Sequence, residues 1–173
     1  MTRLKRWARE GAILVVLIMV VMLGMDFLRA PLAPASFGSQ PLQTLSNQTL
    51  SNQSLTLDEQ SQQRPLLVYF WATWCGVCKM TTPSVARLSE EGENVLTVAL
   101  RSGDNAALAR YLQGKGIQMP VVNDSRGDLS AQWDIGVTPT FVIIDKGQVI
   151  ATTTGWTSYR GMKARMWWAQ IRG

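Results

Sequence analysis

The sequence predicts an α/β domain of alternating strands and helices, preceded by one N-terminal transmembrane helix. Three observations lead there. Short apolar runs of β-type residues alternate with helix-period segments from residue 66 onward, as an α/β domain requires. A long apolar run follows a basic cluster near the start of the chain. The chain's two cysteines sit together in Trp74-Cys75-Gly76-Val77-Cys78-Lys79, where a strand passes into a helix.

Taken in order, Arg3, Lys5, Arg6 and Arg9 precede an uninterrupted apolar run over residues 11–25, which Asp26 breaks and Phe27-Leu28 extend. With its flanks the run reaches about 18 residues, the lower limit for crossing ~30 Å of hydrocarbon. The basic cluster places residues 1–10 in the cytoplasm, residues 11–28 as the anchor and the remainder outside. A cleavable secretory signal opens in the same way, with Ala33-Pro34-Ala35 as a cleavage site; the length and apolarity of the run favour an uncleaved anchor. Met19, Met22 and Met25 within it read as lipid-facing bulk. Of the 17 Lys/Arg and 12 Asp/Glu, residues 1–29 hold Arg3, Lys5, Arg6, Arg9 and Arg29 against Glu10 and Asp26, so +3 of the net +5 belongs to topology. The rest of the chain is nearly balanced and offers no basic stripe for nucleic acid.

Residues 29–53 are rich in Pro, Ser, Asn and Gln and contain the near-repeat Thr44-Leu45-Ser46-Asn47-Gln48, Thr49-Leu50-Ser51-Asn52-Gln53. Two such short copies cannot make a solenoid. The segment reads as a flexible tether with an r.m.s. reach of about 25–30 Å. In the alternative, Leu50, Leu55 and Leu57 contribute an edge strand or hairpin to the domain at 54–173.

Within that domain, residues 66–72 (Leu-Leu-Val-Tyr-Phe-Trp-Ala) suit a buried strand. From Lys79 to about Glu91 a helix is expected, with Met80, Val85 and Leu88 at helical spacing and Pro83 bending it. Strand 95–100, helix 105–113 ended by Gly114 and Gly116, strand 119–123 and a short helix 127–133 follow. Strands 140–144 and 149–153 pair across Asp145-Lys146-Gly147-Gln148. Ser158 caps a final helix through Ile171, lined by Met162, Met166 and Ala169.

The cysteine pair carries the chemistry. The i, i+3 spacing puts both sulfurs on the first turn of a helix, close enough to bond. Cys75 lies at the helix N-terminus, where free N–H groups and the macrodipole favour the thiolate and Lys79 adds positive charge. Thiols in such settings have pKa values of roughly 3.5–7.5 instead of about 8.5. A structural staple is a poor alternative, because a two-residue spacer closes almost no loop. A zinc site would lack ligands, since the chain has no histidine and no further cysteine. Copper(I) held by both thiolates, with Met80 as a third sulfur, is chemically permissible beside the redox role.

The wording Phe70-Trp71-Ala72-Thr73-Trp74-Cys75 resembles the membrane-tethered bacterial branch of the thioredoxin superfamily, and within it the suppressor-of-copper-sensitivity D type of protein-disulfide oxidoreductase. That resemblance, over about residues 54–173, implies a thioredoxin-like fold with a central mixed sheet flanked by helices. The extra strand near 119–123, with its helix, matches an insertion. It also implies that Val137-Thr138-Pro139-Thr140 is a cis-proline loop lying against the redox pair, so that Trp74, Thr138 and Pro139 bind the substrate while Cys75 and Cys78 are catalytic. Implied partners are protein disulfides and a transmembrane electron donor, with the anchor in a bacterial inner membrane, the catalytic part periplasmic and monomeric, and no cofactor or metal. The chain departs from the pattern at Tyr69 and Thr81, where related proteins carry acids, and at Thr140, where cytochrome-maturation thioredoxins have an acidic residue. A cytochrome c maturation thioredoxin and a copper-binding module remain the alternatives to a general reductase.

Overall fold

The computed structural model describes residues 7, 9–18, 20, 21 and 56–172. The chain divides into two units, Met1–Ala30 and Pro31–Gly173. In the first, α1 is helical at residues 7, 9–18, 20 and 21, and its apolar side chains, among them Leu14, Val15 and Leu17, are exposed. Among the described residues no helix is long and apolar enough to cross a membrane. The expected anchor at 11–28 lies partly, and the tether at 29–53 wholly, outside the described residues.

The second unit runs α2 (Leu57–Ser61), β1 (Leu66–Trp71), α3 (Gly76–Glu90), β2 (Val95–Leu100), α4 (Asn105–Lys115), β3 (Val121–Asp124), α5 (Asp128–Gln132), β4 (Thr140–Asp145), β5 (Gln148–Thr154) and α6 (Tyr159–Arg172). These strands form one mixed sheet of order β3-β2-β1-β4-β5. β1 is parallel to β2 and antiparallel to β4; β3 is a parallel edge beside β2, and β5 an antiparallel edge beside β4. All six residues of central β1 are buried, which is why its sequence is continuously apolar and not alternating. Leu67, Tyr69 and Trp71 pack with Val85 and Leu88 of α3, Leu108 and Leu112 of α4 and Met162 and Met166 of α6. Leu66, Val68 and Phe70 face the other layer, where Leu57 and Trp133 cover them.

Local chemistry explains where the boundaries differ from expectation. The segment beginning at Leu57 is a helix and not an edge strand. Thr56 Oγ1 accepts the Glu59 N–H at 3.3 Å while the Glu59 carboxylate accepts the Thr56 N–H, a reciprocal cap that outweighs the alternating leucines. α3 starts at Gly76, earlier than Lys79, because the Cys75 side chain caps it. α4 passes through Gly114, which costs a helix only about 1 kcal/mol, and stops at Gly116, whose φ of 62° is the left-handed conformation that ends helices. The β4–β5 hairpin closes through Lys146 and Gly147, both at positive φ (49° and 74°), as a two-residue turn demands.

The sheet has two poles. At the carboxyl ends of β1 and β2 the chain turns into α3 and α4 respectively, and there Thr140 of β4 pairs with Phe70. At the amino ends, the Asn94 side-chain amide donates to Gln60 O (2.7 Å) and Arg64 O (3.2 Å), and the Lys146 N–H donates to Ser61 O (2.9 Å). α2, the first described element of this unit, lies at this second pole.

Candidate active site

The turn from β1 into α3 presents the cysteines at the first pole. β1 ends at Trp71, and the Cys75 N–H bonds back to Ala72 O at 3.2 Å, closing a tight loop. Cys75 has extended backbone geometry and acts as the N-cap of α3: its Sγ accepts the Cys78 N–H at 3.1 Å. A sulfur so placed has an oriented backbone donor and the positive end of the helix dipole to stabilise negative charge. The two cysteines are joined as a disulfide with their Cα atoms 5.2 Å apart. Cys75 is 7% exposed and Cys78 1%, so an approaching partner meets Cys75 first.

Opposite the pair stands the loop ahead of β4. The Thr138–Pro139 peptide is cis, and Thr138 O lies 3.5 Å from Cys75 Sγ. Thr140 is buried and spends its hydroxyl on Val137 O at 2.8 Å, while Pro139 O accepts the Gly155 N–H at 2.8 Å, which ties the loop to the end of β5. Trp74 is 61% exposed, its indole N–H donating to Arg101 O at 3.1 Å. The structure thus brings Trp74, Cys75, Cys78, Thr138 and Pro139 to one edge.

Two supports of the site have no counterpart in the sequence reading. Ser102 Oγ accepts the Thr73 N–H at 3.0 Å and donates to Leu100 O at 3.1 Å, so the loop after β2 braces the loop before Cys75. Behind Cys78, Thr82 donates to Cys78 O at 2.7 Å, leaving its oxygen to accept from the Tyr69 hydroxyl at 3.0 Å. Burial pushes the Tyr69 phenol up, and the Thr82 and Thr81 hydroxyls only partly offset this, so at neutral pH Tyr69 is a hydrogen-bond donor. Thr81, fully buried, gives its hydroxyl to Val77 O at 2.8 Å. Where acids would stand in the resembling proteins, the interior beneath the disulfide is lined by neutral hydroxyls.

The copper alternative loses its third ligand. Met80 is 62% exposed, whereas Cys78 two residues earlier is buried, and positions i and i+2 do not share a helix face. Among the described residues no group of three or more His, Cys, Asp or Glu converges as a metal site.

A mixed sheet with a disulfide at the start of the helix after its central strand, facing a cis-proline, defines a thioredoxin-like protein-disulfide oxidoreductase. The chain belongs to the redoxin family, whose profile matches residues 38–161. A thioredoxin-like protein of Haemophilus influenzae is 39% identical over 171 residues, covering 99% of both chains. In structure the chain is similar to MTB DsbF, with a TM-score of 0.61 and 19% identity over 80% of this chain and 99% of that one. It is also similar to the pneumococcal exposed lipoprotein thioredoxin Etrx1 from Streptococcus pneumoniae, with a TM-score of 0.56 and 23% identity over 63% and 87% of the two chains. At such identities the likeness is one of fold.

Proposed function

We propose that the protein is a membrane-anchored periplasmic disulfide reductase of the suppressor-of-copper-sensitivity D type, serving a copper-tolerance system. The observation that carries the redox part is the Cys75 sulfur, which caps α3, accepts the Cys78 N–H at 3.1 Å and is the more accessible of the two. In the reduced protein the Cys75 thiolate attacks one sulfur of a partner disulfide and expels the other as a thiolate, giving a mixed disulfide. Cys78 then loses its proton and attacks Cys75 Sγ. The second partner thiolate leaves, and the Cys75–Cys78 disulfide closes. Two electrons have passed to the partner, and a transmembrane electron-transfer protein returns them. Trp74 and the Thr138-Pro139 loop dock the partner, the Thr138 carbonyl beside Cys75 offering a backbone acceptor to an extended chain. Cys78 has no carboxylate at Tyr69 or Thr81 to take its proton, so water or a more distant acid serves.

The anchoring reading is supported by the exposed apolar side chains of α1 and the arginines and lysine ahead of it. The subgroup reading is supported by the Phe70–Cys75 wording. Thr140, buried and bonded to Val137 O, leaves no acid beside the cis-proline, which favours a general reductant over a cytochrome maturation factor. The test is the reduction potential at equilibrium with a glutathione or thioredoxin couple. A reductase should lie near thioredoxin's value of about −270 mV, whereas a value towards about −120 mV would assign an oxidant. Carbonate-washed membranes should retain the full chain; a soluble species beginning at Ser36 would contradict the anchor. Deleting the protein should lower copper tolerance in its host, and unchanged tolerance would remove the subgroup assignment.

A further inference from the structure

α6 carries an unusual outer face. Its sequence from Tyr159 to Arg172 contains Arg160, Lys163, Arg165 and Arg172 and no acid. Met162, Met166 and Ala169 turn inward to the core, which leaves Trp167, Trp168 and Ile171 exposed at 62%, 50% and 58%. Lys163 is engaged by Glu91 and Glu93, but Arg160 and Arg165 form no ion pair among the described residues. Large amphipathic aromatics beside uncompensated cations are what the headgroup region of an anionic bilayer selects.

The position of this face supplies a second observation. Trp167 and Gln170 line a groove with Arg64, Pro65, Asn94, Lys163 and Glu93, at the pole where α2 lies and opposite the disulfide, and the Glu93 carboxylate there is paired with Lys163 at 3.6 Å. We propose that the C-terminal half of α6 rests on the anionic headgroups of the bilayer that holds the N-terminal segment, with the dithiol at the far pole turned outward to soluble partners. The proposal rests on the anchored reading above. A bilayer is favoured over a second copy of the chain, because pairing α6 with itself would set Arg160 and Arg165 against their own kind. Seated in this way, Cys75 lies on the solvent side, so substrate access does not compete with membrane contact.

The test uses the full chain in nanodiscs of phosphatidylcholine, with and without phosphatidylglycerol, and in detergent micelles. Amide hydrogen exchange reads α6, and retention in carbonate-washed bilayers reads the anchor. Exchange over residues 164–172 should be slowed in the anionic bilayer by about fivefold relative to the neutral one, the equivalent of one basic side chain's attraction to the surface. Joint replacement Trp167→Ser and Trp168→Ser should abolish that difference while exchange in α3 stays as in the parent, showing that the variant is folded. A chain retained by the bilayer without protection of α6 would overturn the seating and leave the anchor standing. A chain that washes off would overturn both. Protection that appears in detergent and grows with protein concentration would assign the face to self-association and refute the proposal.

Discussion

Thr82→Val tests whether the hydroxyls behind Cys78 form a coupled structural pair. Valine matches threonine in shape but removes the 2.7 Å bond to Cys78 O and the acceptor of the 3.0 Å bond from Tyr69. Two hydrogen bonds at about 1 kcal/mol each give an expected loss of about 2 kcal/mol, part of it the cost of a buried phenol short of an acceptor. Tyr69→Phe removes one bond and leaves Thr82 still bonded to Cys78 O, so about 1 kcal/mol is expected. The double variant has no stranded hydroxyl and should cost about as much as Thr82→Val alone, a coupling of about 1 kcal/mol. Urea unfolding of the oxidised protein, followed by tryptophan fluorescence, measures all three corners with the parent. Strict additivity, within about 0.3 kcal/mol, would refute the Tyr69–Thr82–Cys78 chain. The rate at which Cys75 attacks a disulfide should not change in any of them, because the chain ends on the backbone of Cys78 and touches neither Cys75 nor the cis-proline.

Thr81→Glu should speed resolution of the mixed disulfide by less than the 10² or so that a well-placed general base gives, at a cost in stability because Thr81 is fully buried and bonded to Val77 O; stopped-flow reduction resolves that step, and an unchanged resolving rate in the folded variant would mean that water or another group already suffices. Ser102→Ala should lower stability by about 1–3 kcal/mol by leaving the Thr73 N–H without its partner; denaturant unfolding checks this, and a loss below about 0.5 kcal/mol would deny the brace. Tyr159, Lys163 and Arg87 hold the Glu91 carboxyl down from 4.5 to about 2, so the stabilisation is fully present above pH 4.5 and lost as pH falls towards 2. Glu91→Gln should therefore flatten the acid limb of the stability profile in that window, and an unchanged limb would contradict the cluster.

The central strand and the redox loop could be read directly, because a strand buried on both faces and a strand-to-helix dithiol each write a local pattern. Met162, Met166 and Ala169 were equally readable as the inward stripe of the last helix. The short helix at Leu57 was not: five residues carry no full period, and only the Thr56–Glu59 cap decided it. Gly114 misled because glycine stops a helix only where the backbone turns left-handed, as Gly116 does. Ser102 was invisible for another reason. Its bond to Thr73 spans 29 residues, and nothing near either residue marks the other. Neighbours of the cis-proline such as the Gly155 N–H likewise become visible only once β5 is laid beside β4.

The measurement closest to the central claim is the order in which the two thiols of the reduced protein react with a small alkylating agent near neutral pH, read by peptide mass spectrometry. The helix cap and the greater exposure of Cys75 call for its labelling well ahead of Cys78, and for a Cys78→Ser variant that accumulates mixed disulfides with its partners. Labelling of Cys78 first, or a Cys78→Ser variant that traps no partner while Cys75→Ser does, would contradict the assignment of Cys75 as the attacking sulfur.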